Sequence, residues 1–249
     1  MNIVEKHVIN NIVDETTESI APKINNIIES NNKINTNNNN STILKTLRCR
    51  PECGLIVVDN FYNNAMDTRN YILTQNFIVK GNFPGKRTIS YATNDLKNII
   101  QSYVEPFGGK ITLFPCPKQD NSDAHEIYNG AFQYTTSRDR SWVHTDSWNN
   151  WAGVLFMTPD APLTAGTAFY KFMDGAMNDK EGKVLNNKND TDKFSQDLTK
   201  WEMVDRVGNV FNRLVLFNAN RYHMSMDYFG DSKETGRLFQ TFFFSTERN

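Results

Sequence analysis

Three residues of this 249-residue chain combine side-chain types and positions suited to a metal ion: His144 and Asp146 in "SWVHTDSWNNW", and His223 closing "RLVLFNANRYH". In extended backbone, side chains two apart leave the same face, so His144-x-Asp146 presents an imidazole and a carboxylate together. Two His and one carboxylate form one face of an octahedron and leave three positions for reactants, the open arrangement of non-haem Fe(II) sites. The third ligand must come from another strand. The chain has four histidines. His7 falls in the N-terminal tail and His125 in the polar loop "NSDAHEIYNG". His144, Asp146 and His223 are therefore the one coherent set. The bland alternative is a surface turn plus a core histidine bonded to backbone.

A cation follows. Arg237 opens the apolar stretch "RLFQTFFFS", 14 residues past His223. An arginine there is costly to bury unpaired, but its planar fork suits a carboxylate. A dicarboxylate cosubstrate would offer one end to the metal and the other to Arg237. Arg221, two residues before His223, is the rival cation. Trp142, Trp148 and Trp151 flank the ligands as pocket walls or as packing. Lys86 and Arg87 in "PGKR" would attract an anionic substrate, or sit in a solvated turn.

The elements that must position these residues are short. "GLIVVDNFY" (54–62), "KITLFP" (110–115), "GAFQYTT" (130–136), "WAGVLFM" (151–157), "GTAFYKF" (166–172), "RLVLFN" (213–218) and "RLFQTFFFS" (237–245) are β-branched or aromatic runs between turn residues, so they read as strands. Helices are expected over 63–76, capped by Asp59 or Asn60, and over 93–107, with Leu96, Ile99, Ile100 and Tyr103 on one face. The polar segment 173–209 reads as a long loop with a short helix near 193–203. Helices first and strands after predict a mainly β domain buttressed by helices, a sandwich or barrel rather than a parallel α/β fold.

Composition narrows the class. Residues 1–45 read as an Asn-rich tail, with 12 Asn in the first 40 residues, containing an amphipathic helix or a loosely ordered linker. The globular domain spans 46–249. The net charge of −1, without a basic run, gives no drive toward nucleic acid or an anionic membrane. No stretch approaches the ~20 apolar residues of a membrane span. Cys49, Cys53 and Cys116 form no paired framework and suit a reducing, cytoplasmic setting. Oligomeric state is open.

The ordered set His144-x-Asp146, His223, then Gly236-Arg237 opening a final strand resembles the Fe(II)/2-oxoglutarate-dependent dioxygenases, in particular their prolyl-hydroxylase-like branch. "RLVLFNANRYH" and "AGTAFYKF" are similar to two of that branch's strands, and Tyr134, ten residues before His144, stands where the branch often has a cosubstrate-lining tyrosine. The front of the chain, with "FPGKRT" and "HTDSWNNWAGVLFMTPDAP", resembles an uncharacterised bacterial and viral family of such proteins. The likeness covers about 54–245. It implies a double-stranded β-helix (jelly roll). It also implies Fe(II) on His144, Asp146 and His223, 2-oxoglutarate and O₂ as cosubstrates, Arg237 on the distal carboxylate, and hydroxylation of a C–H in a peptide, amino acid or small metabolite. Two departures are a longer gap between His223 and Arg237 and "AG" at 165–166 where a glycine pair is frequent. A cupin-like metalloenzyme needing no keto acid, or a noncatalytic jelly-roll binding module, are the rivals; cupins usually carry more histidine ligands than this chain offers.

Overall fold

A computed structural model describes residues 53–179 and 193–247. The expected N-terminal helix, His7 and Cys49 lie outside them, as does the middle of the long polar segment. The strands are β1 (Leu55–Val58), β2 (Lys86–Ser90), β3 (Lys110–Leu113), β4 (Ala131–Thr135), β5 (Trp151–Phe156), β6 (Thr167–Phe172), β7 (Trp201–Val207), β8 (Leu214–Asn218), β9 (His223–Ser225) and β10 (Arg237–Glu247). The helices are α1 (Ala65–Leu73) and α2 (Asn94–Gly108), with a 3₁₀ turn over Leu198–Lys200.

The strands form two antiparallel sheets. The larger runs β1-β8-β5-β10-β4-β2, with β3 also paired to β10. The smaller runs β7-β6-β9, and an isolated bridge joins His144 to His223 beside it. From β4 onward the chain passes back and forth between the sheets: β4 large, the His144 bridge small, β5 large, β6 and β7 small, β8 large, β9 small, β10 large. This is the double-stranded β-helix.

Period-two alternation divides each strand of the large sheet between two layers. On β10, Leu238, Phe242 and Phe244 face outward into a cluster with Phe132, Leu155, Leu216 and the helix residues Ile72, Leu96, Ile100 and Val104. Phe243 faces the other way. It joins Ala152, Phe156, Val215 and Phe217 against Phe169 and Val207 of the small sheet. Thus α1 and α2 seal the outer face and leave the inner face for the core and the cavity.

α2 forms where expected. The Thr93 side chain accepts from the Leu96 N–H at 3.1 Å, and Gly109, at φ 86°, ends the helix. Its buried stripe is Leu96, Ile100 and Val104, whereas Ile99 is exposed. α1 starts later than expected, after Asn64. Neither Asp59 nor Asn60 caps it: Asp59 pairs with Arg213 at 2.6 and 2.9 Å, and Asn60 takes a positive φ of 56° in the turn. The described part of 173–209 is not only loop, because it contains β7. That strand was hidden because residues 202–206 are exposed, as befits an edge strand with a wet outer face. β2, read as a turn, is an edge strand of the large sheet, and "RLVLFNANRYH" is broken by a turn between β8 and β9.

Candidate metal centre

His144 and His223 are set opposite one another by backbone. Each donates its N–H to the other's carbonyl, at 3.0 and 2.9 Å, and their rings lie 4.3 Å apart. The Asp146 N–H donates to the Ala219 carbonyl at 2.7 Å, tying the loop after His144 to the turn before β9. These bonds bring two segments far apart in sequence to one point. One nitrogen or oxygen from each of His144, Asp146 and His223 lies within 4.8 Å of the others, a group able to hold a metal ion.

The tautomers follow from the same backbone. His144 Nδ1 is 2.9 Å from the Trp142 carbonyl, and His223 Nδ1 is 2.9 Å from the Arg221 carbonyl. A carbonyl only accepts, so both Nδ1 atoms carry hydrogen, which in the neutral imidazoles makes Nε2 the lone-pair nitrogen that a metal requires. His223 Nε2 lies 3.3 Å from an Asp146 oxygen. Burial, and then the neighbouring His223, hold His144 below the usual imidazole range. Burial opposes ionisation of Asp146, but contact with His223, with His144 and Arg87 nearby, outweighs it and leaves its carboxyl below the usual range.

The three residues line a cavity of about 330 Å³ between the sheets, within the size range of small-ligand sites. Trp142 and Trp148 stand on its wall. Trp148 packs on Phe243 with ring centroids 4.8 Å apart. Trp151 is not part of the wall; it is buried behind the large sheet, stacked against Phe244. His125 and Glu126 form an exposed pair in their loop.

Arg237 is 0 % exposed and lies at the deep end of the sandwich. Its Nε and Nη2 donate to the carbonyls of Ala165 and Gly166 at 3.0 and 3.3 Å. Its guanidinium carbon lies 4.4 Å from the ring centre of Phe239, itself a wall residue of the cavity. Nη1 has no partner among the described residues, and neither has the hydroxyl of Thr135, its register neighbour, nor that of Thr167, next to Gly166. Burial pushes the Arg237 pKa down to about 10, so it stays charged at neutral pH. A buried cation with an orphaned N–H beside two orphaned hydroxyls is a costly arrangement that an incoming carboxylate would satisfy. Gly166 permits this geometry: a Cβ there would lie 1.8 Å from the Val207 carbonyl oxygen.

Two expected residues lie elsewhere. Tyr134 does not line the cavity. On β4 the inward positions are Gln133 and Thr135, so Tyr134 leaves by the outer face, where its ring meets Phe77 at 5.0 Å. Arg221 also points away, its guanidinium 4.2 Å from the centre of the Phe169 ring and one Nη near the Gly54 carbonyl. Sequence reasoning missed Gln133 as a site residue and left Arg87, with Lys86, between an anion-attracting pair and a solvated turn. Arg87 lies on β2 and lines the cavity, whereas Lys86 is exposed.

No protein-family model matches this sequence, and no curated protein matches it. Solved structures do. HygX from Streptomyces hygroscopicus with nickel, 2-oxoglutarate and hygromycin B bound is similar at 10% identity, covering 81% of this chain and 86% of that one, with a TM-score of 0.53. The same protein with iron bound aligns at 9% identity over 81% and 86% of the two chains, with a TM-score of 0.50. A prolyl hydroxylase from Trichoplax adhaerens, at 9% identity over 84% of this chain and 94% of its own, overlays at a TM-score of 0.44, too loosely to bear on the branch. At these identities the likeness establishes the jelly-roll fold. Among the described residues no helix is long and apolar enough to cross a membrane.

Proposed function

We propose that this protein is an Fe(II)- and 2-oxoglutarate-dependent oxygenase, with His144, Asp146 and His223 as the metal ligands and residues 46–249 as the oxygenase domain. The observation that carries the reading is the pairing of two features inside one sandwich, on strands of its two sheets. One is a His-Asp-His group with both Nδ1 atoms committed to carbonyls. The other is a buried arginine with an unsatisfied N–H. A metal alone would not call for Arg237, and a passive jelly roll would call for neither.

Iron held there would supply the one-electron chemistry that O₂ needs, with 2-oxoglutarate as the two-electron donor. The protein's part is positioning. The carbonyls of Trp142 and Arg221 fix the imidazole tautomers, and the mutual backbone bonds of His144 and His223 fix their separation. Arg237 Nη1, with Thr135 and Thr167, receives the distal carboxylate of the keto acid. Aromatic walls displace water around the reacting bond. We assign the reaction as hydroxylation of a C–H on a small molecule or peptide. HygX binds hygromycin B, which supports a small-molecule pocket in this fold.

The test is an anaerobic Fe(II) titration with and without 2-oxoglutarate, reading the visible metal-to-ligand charge-transfer band. Wild type should show the band only with the keto acid, and His144→Ala should show none. Arg237→Gln should still take up iron but bind 2-oxoglutarate at least about tenfold more weakly, the scale of one buried charge-assisted hydrogen bond. Iron uptake without a band would favour the cupin-like reading. No uptake at all would leave a binding module.

A further inference from the structure

The proposed reaction uses one buried arginine, Arg237, yet a second, Arg87, lines the same cavity as the metal ligands. Arg87 is 5 % exposed and, among the described residues, forms no ion pair. Its guanidinium sits in the corner made by two aromatic rings, Phe83 and Tyr128, which meet edge to face with centroids 5.9 Å apart. The ring centre of Phe83 lies 3.8 Å from its central carbon, and that of Tyr128 4.7 Å. Gln133, its register partner on β4, holds one edge: Arg87 Nε and Nη2 both donate to Gln133 Oε1. Gln133 cannot turn away, because its Nε2 donates to the Pro84 carbonyl at 2.6 Å. That leaves Nη1, to which no described residue offers an acceptor. Arg87, Phe83, Tyr128 and Gln133 all line the same cavity as the metal ligands.

A guanidinium used only as structural glue would have its donors satisfied. Here a corner of two aromatic rings and one amide hold it in place, and it still lines the cavity. Burial lowers its pKa, with Tyr128 and Asp146 acting in the opposite sense, to about 10, so the charge persists at neutral pH. Asp146 is not its partner, since that carboxylate is turned to His223.

We propose that Arg87, oriented by Gln133, anchors an acid group on the prime substrate, so that the cavity selects a small carboxylic acid with an apolar body. This rests on the oxygenase reading for what happens to the anchored molecule. The keto acid's distal carboxylate is assigned to Arg237 on β10, so Arg87, on β2, is free for a second anion. A monoanion suits the place better than a phosphate dianion, because the Asp146 carboxylate contributes to the same field. The body has an apolar face because Trp148, Phe217 and Phe243 line one part of the wall. Bound by its acid at Arg87, such a molecule would present a carbon further along its skeleton to the metal, which makes Arg87 a residue that determines substrate specificity.

The experiment uses the full chain loaded with Zn(II), which cannot turn over, and with 2-oxoglutarate. Benzoate and its uncharged isostere benzamide are titrated in, following tryptophan fluorescence from Trp142 and Trp148. Wild type should bind benzoate saturably and at least about tenfold more tightly than benzamide, as expected for one charge-assisted pair. Arg87→Gln should erase that preference while zinc uptake and 2-oxoglutarate affinity, read by calorimetry, stay unchanged. Arg87→Lys keeps the charge without the fork; it should retain a weaker preference and serves if the Gln variant does not fold. A wild type indifferent to the charge, a preference that survives in both variants, or a loss that falls on 2-oxoglutarate instead would overturn the assignment. If wild type takes up neither zinc nor keto acid but the benzoate preference still tracks Arg87, the oxygenase reading fails and the anion site stands.

Discussion

His144 and His223 each commit Nδ1 to a carbonyl two residues earlier, so their ligating atoms are selected before any metal arrives. His144→Ala or His223→Ala should therefore abolish stoichiometric Fe(II) uptake, measured by calorimetry, without unfolding the chain; full uptake by either variant would remove the site. The neutral state of His144 also leaves a signature. Its folded pKa lies below the ordinary value of about 6.5. The unfolded chain thus takes up a proton that the folded chain resists. The stability it contributes is whole above about pH 6.5 and is lost as pH falls through the depressed value. Urea midpoints of metal-free protein should fall between about pH 7.5 and 5.5, and more steeply for wild type than for His144→Gln. The triad was legible in sequence because histidine is scarce here and the spacing fits a strand end. Gln133 was not, because its meaning lies in a cross-strand register with Arg87 that a linear reading does not contain. Tyr134 was misjudged by a single position of strand parity.

At the scale of elements, β6 holds two functions together. Gly166, just before it, supplies a carbonyl that fixes Arg237, and its first residue supplies the Thr167 hydroxyl, while Gly166 also lets the chain approach Val207 closely. Gly166→Ala should cost more than about 2 kcal/mol in chemical denaturation, the range of severe backbone clashes, and should weaken 2-oxoglutarate binding more than Fe(II) binding. Equal losses for both ligands would mean that β6 acts only as scaffold. Strands built from aromatic and β-branched runs were readable, because burial on both faces enforces that composition. β7 and β2 were not. Both are edge strands, and their polar residues are read as loop until a neighbouring strand accounts for their backbone hydrogen bonds.

For the whole molecule, the cavity sits between two sheets that share one apolar layer, so whatever binds there ties them together. Saturating metal and 2-oxoglutarate should raise the melting temperature. A ligand at about 100 times its Kd contributes about 2.7 kcal/mol, or roughly 5–10 °C for a domain of this size. Chelation should reverse the shift, and His223→Ala should show none. The helix-covered jelly roll followed from the order of helices and strands, whereas two buried arginines without a carboxylate partner among the described residues, Arg87 and Arg237, emerge only when the sheets close. The paired amides of residues 144 and 223 have one further consequence. Because each bonds the other's carbonyl, neither can exchange with deuterium unless both strands part, and a slip of one residue would turn both imidazoles to the wrong side. The two exchange rates should therefore be locked to each other, making this pair of amides a clock for the opening of the small sheet.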